Sequence, residues 1–488
     1  MRKFFFRKIV FVLSILFFIV IFKVIPHEFF ELGGDSAQYI ILAENIARGG
    51  GYRAINYPQE PFFYHYPPLF PLLLSFVIYF YSRNIYLMHF LIALMSYVSL
   101  FFIYGIFKQC SGKKKAFLYT ILLATNWVCI LYSTKHILSD IPYFFISSVC
   151  LFFTAKYLKT ESVFNKEGAF TLIALVLGYF MRYIGITLFL GIVILLIVEK
   201  ARFKKIIFMF LGFLIPFFLW QMFNPGGIVQ YSKQIYLIDP YRPYLGTVFL
   251  HPQYLLLRFV EGAVCFYKSL AVVLFPFFSG FSSYLSLITL VFIFIGVWSN
   301  KKCVFRYYFI IYVFLIMVWP YREIYRLLIP VIPFIYFYFF SGLDTFLLFL
   351  FKKKNVFVFY PAAVIILCFN VLKFPEYFIK EKLSQSALDF IAIHSWIKQY
   401  APKNAVIISR KPTVSYFYSG RKSVIYPFSL DIQKIEQEFL KADAEYIIVD
   451  DFSEETRYYL LPFIVRYKHK LEIAHQEGRT SLLKILKE

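Results

Sequence analysis

Up to about position 372 the chain alternates long apolar runs with short basic clusters, and that rhythm predicts membrane-spanning helices. A bilayer core needs roughly 20 consecutive apolar residues, and a helix satisfies its own backbone polar groups there. The runs fall near residues 9–25, 85–107, 116–133, 141–158, 168–181, 184–198, 206–222, 284–298, 307–319, 327–341 and 356–372. That makes about eleven transmembrane helices, several short enough that their ends are fixed only to within a few residues. Two further apolar stretches, residues 69–81 and 254–278, do not fit as crossings, because counting either would put a lysine cluster on the wrong side. They are read as interfacial or re-entrant helices on the outer face. Pro67, Pro68 and Pro71 open the first, and Arg258, Glu261, Lys268 and Pro276 interrupt the second.

After Pro375 the pattern changes, and charge and polarity return. Residues 384–400 read as an amphipathic helix, 405–409 as a strand, 431–441 as a helix, 446–449 as a buried strand, 454–467 as a helix, and 469–475 and 481–486 as closing strands. Alternation of that kind predicts a small α/β domain over 373–488, behind a membrane domain over 1–372 whose first outer loop is 26–84.

Composition agrees with the pattern: 60% of residues are hydrophobic, 22% aromatic and only 16% charged, against about a quarter charged in soluble domains. The net charge of +23 changes the picture only through its placement. Arg2 to Lys8, Lys108 to Lys115, Lys156 to Lys166, Lys200 to Lys205, Lys301 to Arg306 and Lys352 to Lys354 form six clusters between apolar runs. That is the cytoplasmic side of a positive-inside topology and excludes nucleic acid as the partner. The run at 9–25 follows the first cluster without a small-residue cleavage site and is expected to stay as a first span. The six cysteines have no paired spacing and suggest neither a disulfide framework nor a zinc site.

This topology gathers the remaining chemistry on the outer face of the cytoplasmic membrane. Asp35 follows Gly33 and Gly34 and opens a segment able to form a helix, where the helix dipole favours a carboxylate; a plain helix cap is the alternative reading. Asp140 sits at the mouth of the span that begins at Ile141, one turn after Lys135 and His136, and could equally be a cap. Basic partners on that face are His65 in Tyr64-His65-Tyr66-Pro67-Pro68-Leu69, Arg182 between two short apolar segments, and Arg322 and Arg326. The last two are spaced i and i+4, so on a helical turn they could grip one phosphate. An ionisable residue next to a span is expensive without a partner and marks a functional site by default. Acids and fixed cations on one face are what activation of a hydroxyl and departure of a phosphate require.

An acid after the first span, a basic residue before Pro-Pro-Leu, a second acid opening a later span, and Arg326-Leu327-Leu328-Ile329-Pro330 together resemble the GT-C glycosyltransferases of family 39, the protein mannosyltransferase and aminoarabinose transferase relatives. The resemblance covers about residues 1–345 and is carried by Gly34-Asp35, Tyr39, residues 64–71, Asp140 and Arg326. It implies a polytopic α-helical membrane fold of GT-C type, with the tail as the small extracytoplasmic α/β domain of bacterial members. It also implies transfer of a sugar from a polyprenyl-phosphate donor to an acceptor on the outer side. Asp35 would match the catalytic acid, as general base on the acceptor hydroxyl, and Asp140 the second acid, which orients acceptor or donor. His65 stands where relatives carry a basic residue near the donor phosphate, with Arg182, Arg322 and Arg326 as further phosphate ligands. Tyr39, Tyr64 and Tyr325 are assigned to substrate positioning. Where the family reads Asp-Glu, Ser36 follows Asp35, which leaves open the acceptor (protein, lipid or glycan) and the help of a divalent cation.

Inversion at the sugar carbon is expected, because no second acid is placed to act as a covalent nucleophile. Two other functions fit the same outer-face cations: a transporter or flippase of lipid-linked sugars, and a polysaccharide polymerase or ligase using a lipid diphosphate. Transporters commonly carry internal repeats and mid-membrane ionisable groups. The sequence shows no repeat, which favours the enzyme.

Overall fold

The computed structural model describes residues 11–26 in part, and 33–223, 252–276, 282–319, 324–352, 356–378, 383–451 and 455–486. In chain order the helices are α1 (Asp35–Ala47), α2 (Leu69–Tyr81), α3 (Ile85–Ala124), α4 (Trp127–Thr134), α5 (Asp140–Tyr157), α6 (Lys166–Met181), α7 (Ile186–Val198), α8 (Phe203–Phe223), α9 (Pro252–Leu274), α10 (Ser282–Ser299), α11 (Arg306–Met317), α12 (Ile324–Leu327), α13 (Ile332–Phe351) and α14 (Val356–Phe378). The tail adds β1 (Ile407–Ile408), β2 (Ser423–Val424), β3 (Tyr446–Val449), β4 (Leu471–Glu477) and β5 (Thr480–Ile485), with helices α15 (Gln385–Tyr400), α16 (Pro412–Ser419), α17 (Ile432–Lys441) and α18 (Leu461–Arg466). Among the described residues, three helical segments are long and apolar enough to cross a membrane, Ile85–Ala124, Phe203–Phe223 and Ile329–Phe351. Shorter apolar helices accompany them, and the chain is a multi-pass membrane protein.

The elements group into two compact units: Met1–His27 with Tyr64–Phe70 and Ile85–Ile379, and Glu28–Phe63 with Pro71–Asn84 and Lys380–Glu488. Most of the first outer loop therefore groups with the tail.

In the first unit α3 turns sharply at Gly112, whose φ of 77° suits a residue without a side chain, so two legs meet at the Lys113–Lys115 cluster. Lys115 then pairs with Asp344 on α13. The span expected over 116–133 is broken. Thr125 and Asn126 interrupt it, and the Asn126 carboxamide oxygen accepts from the Val128 and Cys129 amides to start α4. The stretch expected to be interrupted around 254–278 is instead one unbroken helix, α9. Its charges do not stop it: Arg258 is buried, and the helix ends just before Pro276. Helices α10 and α13 cross where Gly296 and Gly342 leave room for backbone against backbone, since a Cβ on Gly342 would strike the Phe292 carbonyl. Stacked rings fill the interior, Phe107 on Phe337 at 5.7 Å and Phe305 on Phe334 at 4.3 Å.

The second unit is built on a five-stranded sheet of order β2-β1-β3-β5-β4. Strand β1 runs parallel to both neighbours, and β3, β5 and β4 are successively antiparallel. Side chains alternate between two apolar layers, as the period of a strand demands. Ile407, Ile448 and Leu482 pack with Phe390, Ile393 and Ile397 of α15, while Ile408, Ile447 and Leu483 pack with Ile435, Phe439 and Phe463 from α17 and α18. Helix α16 and strand β2 had no sequence counterpart: each is short, and the edge strand has only two residues.

Candidate active site

In the membrane unit, Ser139 precedes Asp140, the first residue of α5. Arg182 lies in the extended link between α6 and the turn Tyr183–Gly185, and Arg326 lies on α12. The three meet. The Arg182 Nη1 pairs with one Asp140 carboxylate oxygen, and Arg326 Nε donates to the other at 3.2 Å. Asp140 is 1% exposed, and the two arginine side chains are 15% and 18% exposed. A carboxylate this deep would be costly alone; two guanidiniums make it tolerable. Asp140, expected as the second acid that orients acceptor or donor, has each carboxylate oxygen engaged by an arginine.

Tyrosines wall this cluster. The Tyr312 hydroxyl donates to the Leu327 carbonyl at 2.8 Å and so fixes the turn that carries Arg326. Tyr143 and Tyr308 join through their hydroxyls at 3.3 Å. Tyr325 faces the rings of Trp127 and Tyr132 at 6.1 and 6.4 Å, and Tyr132 stacks on His136 at 4.8 Å. Of these tyrosines the sequence singled out only Tyr325; tyrosine is too frequent along the chain, at 40 residues, for its position to be informative. The Tyr64 ring lies 4.4 Å from that of His65, and the Tyr183 hydroxyl, next to Arg182, donates to the Tyr64 carbonyl at 3.0 Å. Burial lowers the His65 pKa below its usual 6.5, so the imidazole is neutral at pH 7 and is no fixed cation. Arg322 lies outside the described residues.

In the other unit, Gly34 takes φ of 100° and its carbonyl accepts from the Gln38 amide at 2.9 Å, closing the first turn of α1 with Asp35 at its start. Asp35 is half-buried; from Ser36 to Asn45 every residue of α1 is buried, Tyr39 included. A helix with Ser36, Gln38, Glu44 and Asn45 covered on all sides needs polar neighbours. Thr413 donates to Gln38, Arg83 binds Glu44, and the Asn45 amide reaches the Gly51 carbonyl at 2.9 Å. Among the described residues no three His, Cys, Asp or Glu side chains gather to hold a metal ion.

Residues 65–222 match the family model described as dolichyl-phosphate-mannose-protein mannosyltransferase, a span that includes His65, Asp140 and Arg182. No curated protein matches the sequence. ArnT from Cupriavidus metallidurans, in a structure bound to undecaprenyl phosphate, superposes with a TM-score of 0.60 over 98% of this chain and 97% of its own, at 12% identity. The chain has the GT-C fold. The archaeal oligosaccharyltransferase AglB from Archaeoglobus fulgidus, in complex with an inhibitory peptide and a dolichol-phosphate, shares this fold with a TM-score of 0.56 at 12% identity, over 90% of this chain and 69% of its own. ArnT in the apo state superposes over 99% of this chain and 98% of its own, with a TM-score of 0.56 at 10% identity. The superposition with ArnT covers nearly the whole of this chain.

Proposed function

We propose that the protein is a membrane glycosyltransferase that moves a sugar from a polyprenyl-phosphate donor to an acceptor hydroxyl on the outer face of the cytoplasmic membrane. The observation that carries this reading is the buried carboxylate of Asp140 holding the guanidiniums of Arg182 and Arg326 together. A lipid phosphate is a good leaving group when the charge it gains meets fixed cations, and guanidiniums suit phosphate oxygens. The fold shared with ArnT bound to undecaprenyl phosphate and the mannosyltransferase family match over 65–222 support the same donor class.

In this reaction Asp35 takes the proton of the acceptor hydroxyl. The hydroxyl oxygen attacks the sugar C1 from the side opposite the phosphate, the C1–O bond to the phosphate breaks, and its electron pair leaves with the phosphate. One displacement inverts the configuration at C1. Arg182 and Arg326 receive the departing phosphate, with Asp140 holding their geometry, and neutral His65 contributes a hydrogen bond rather than a charge. The test is incubation of purified protein with radiolabelled polyprenyl-phosphate hexoses and a crude envelope acceptor, comparing the natural chain with Asp35→Asn and Arg326→Ala. Transfer lost in both at unchanged protein level is the expected result; transfer from a lipid diphosphate only would overturn the donor assignment.

A further inference from the structure

The buried polar face of α1 is held by side chains from the far end of the sequence. Thr413, in the first turn of α16, donates to the Gln38 side-chain oxygen at 3.2 Å, and Gln38 lies one turn beyond Asp35. At the other end of α1, Arg83 binds the Glu44 carboxylate, its guanidinium lies 4.7 Å over the Phe417 ring, and its Nη1 donates to the Phe417 carbonyl at 3.4 Å. Tyr416 lies in the same contact: burial, and after it the Glu44 carboxylate, raises its hydroxyl pKa. Beside these, the Ser423 amide on edge strand β2 donates to the Asn56 carbonyl at 2.8 Å, and Lys422 binds Glu60 at 2.8 Å and the Pro58 carbonyl at 3.3 Å. The loop that follows α1 is thus fastened along the open edge of the sheet.

Such a connection is more than a domain needs in order to be tethered. A short helix in isolation is marginal, and α1 opens on a glycine, the residue least restricted in its backbone, so the direction of its first residue depends on what packs against it. We infer that α16 is a positioning element for Asp35, with Thr413 and Arg83 as positioning residues that act through Gln38 and Glu44 to fix the helix presenting the carboxylate. The inference rests on the reading of Asp35 as the general base. A base displaced by about 1 Å can lose up to 100-fold in rate while substrate binding is untouched, and that separates positioning from plain structural support.

The test uses the full chain reconstituted in lipid, with radiolabelled polyprenyl-phosphate hexose and the envelope acceptor, for Thr413→Val, Thr413→Ser, Arg83→Gln and Asp35→Asn. Amide exchange over residues 36–47 is followed alongside. Thr413→Val and Arg83→Gln should each lower kcat about 10-fold or more with the donor KM unchanged, and should speed exchange in α1; Thr413→Ser, which keeps the hydroxyl, should restore both. Full kcat in Thr413→Val, or exchange in α1 identical to the natural chain, overturns the positioning role, and Asp35→Asn still loses transfer in that case. Transfer that persists in Asp35→Asn overturns the base assignment and the positioning role with it.

Discussion

In the Asp140 cluster one acid is shared by two arginines. One buried carboxylate meets a guanidinium at each of its two oxygens, so each arginine is held in a fixed direction. Asp140→Asn keeps the shape and removes the charge that both guanidiniums share. Removing one member of a buried ion pair costs about 3–5 kcal/mol, and thermal unfolding in detergent should show a clear drop; an unchanged melting temperature would sink the anchor role. His394 in the tail makes a residue-level prediction for pH. Burial lowers its pKa to about 4, with Nε2 2.9 Å from the Ser415 hydroxyl. The folded value lies below the unfolded 6.5, so the unfolded chain binds the extra proton between them: the contribution is complete above pH 6.5 and is lost as pH falls toward 4. At about 1.4 kcal/mol per unit, roughly 3 kcal/mol of tail stability should disappear over that window, as read by amide exchange of β3 at pH 7 and pH 4. His394→Leu should flatten the dependence.

Elements were legible where a long period or a clear stop marked them. Helices α5, α6, α8 and α10 begin and end within a few residues of the apolar runs, and β3 falls on the expected four residues. What escaped had a local cause that periodicity does not carry. A single carboxamide at Asn126 splits one run, and α9 runs on through Arg258, Glu261 and Lys268, with Arg258 buried. Helix crossings are another such cause, since a glycine in an apolar run looks like any small residue until its partner is known. Gly342 meets the Phe292 carbonyl of α10, so Gly342→Leu must push α10 and α13 apart. Overpacking of this kind costs about 1–3 kcal/mol and sometimes more; lower yield of folded protein and a lower melting temperature are expected, while Leu350→Ala on an exposed face of α13 should be neutral. Equal stability of the two variants would show that the crossing tolerates bulk.

At the scale of the whole molecule, the sequence located Asp35, Asp140, Arg182 and Arg326 through their exceptional charge, but not which of them pair. Pairing depends on which loops the bundle closes together, and α12, which brings Arg326 to Asp140, is only four residues long. The side of the membrane proposed for the reaction rests on charge distribution instead. Lysine and arginine retained between spans mark the cytoplasmic side, and the turn at Gly112 concentrates Lys113, Lys114 and Lys115 where the two legs of α3 meet. Cys110, exposed two residues before that turn, is a natural reporter. A membrane-impermeant maleimide applied to intact cells should leave Cys110 unlabelled and react with it after permeabilisation. In a chain lacking native cysteines, Glu438→Cys on α17 should react in intact cells, because the tail is expected outside. If both sites respond from the same side, the alternation of basic clusters and spans has been misread by one crossing, and the outer-face assignment of the reaction falls with it.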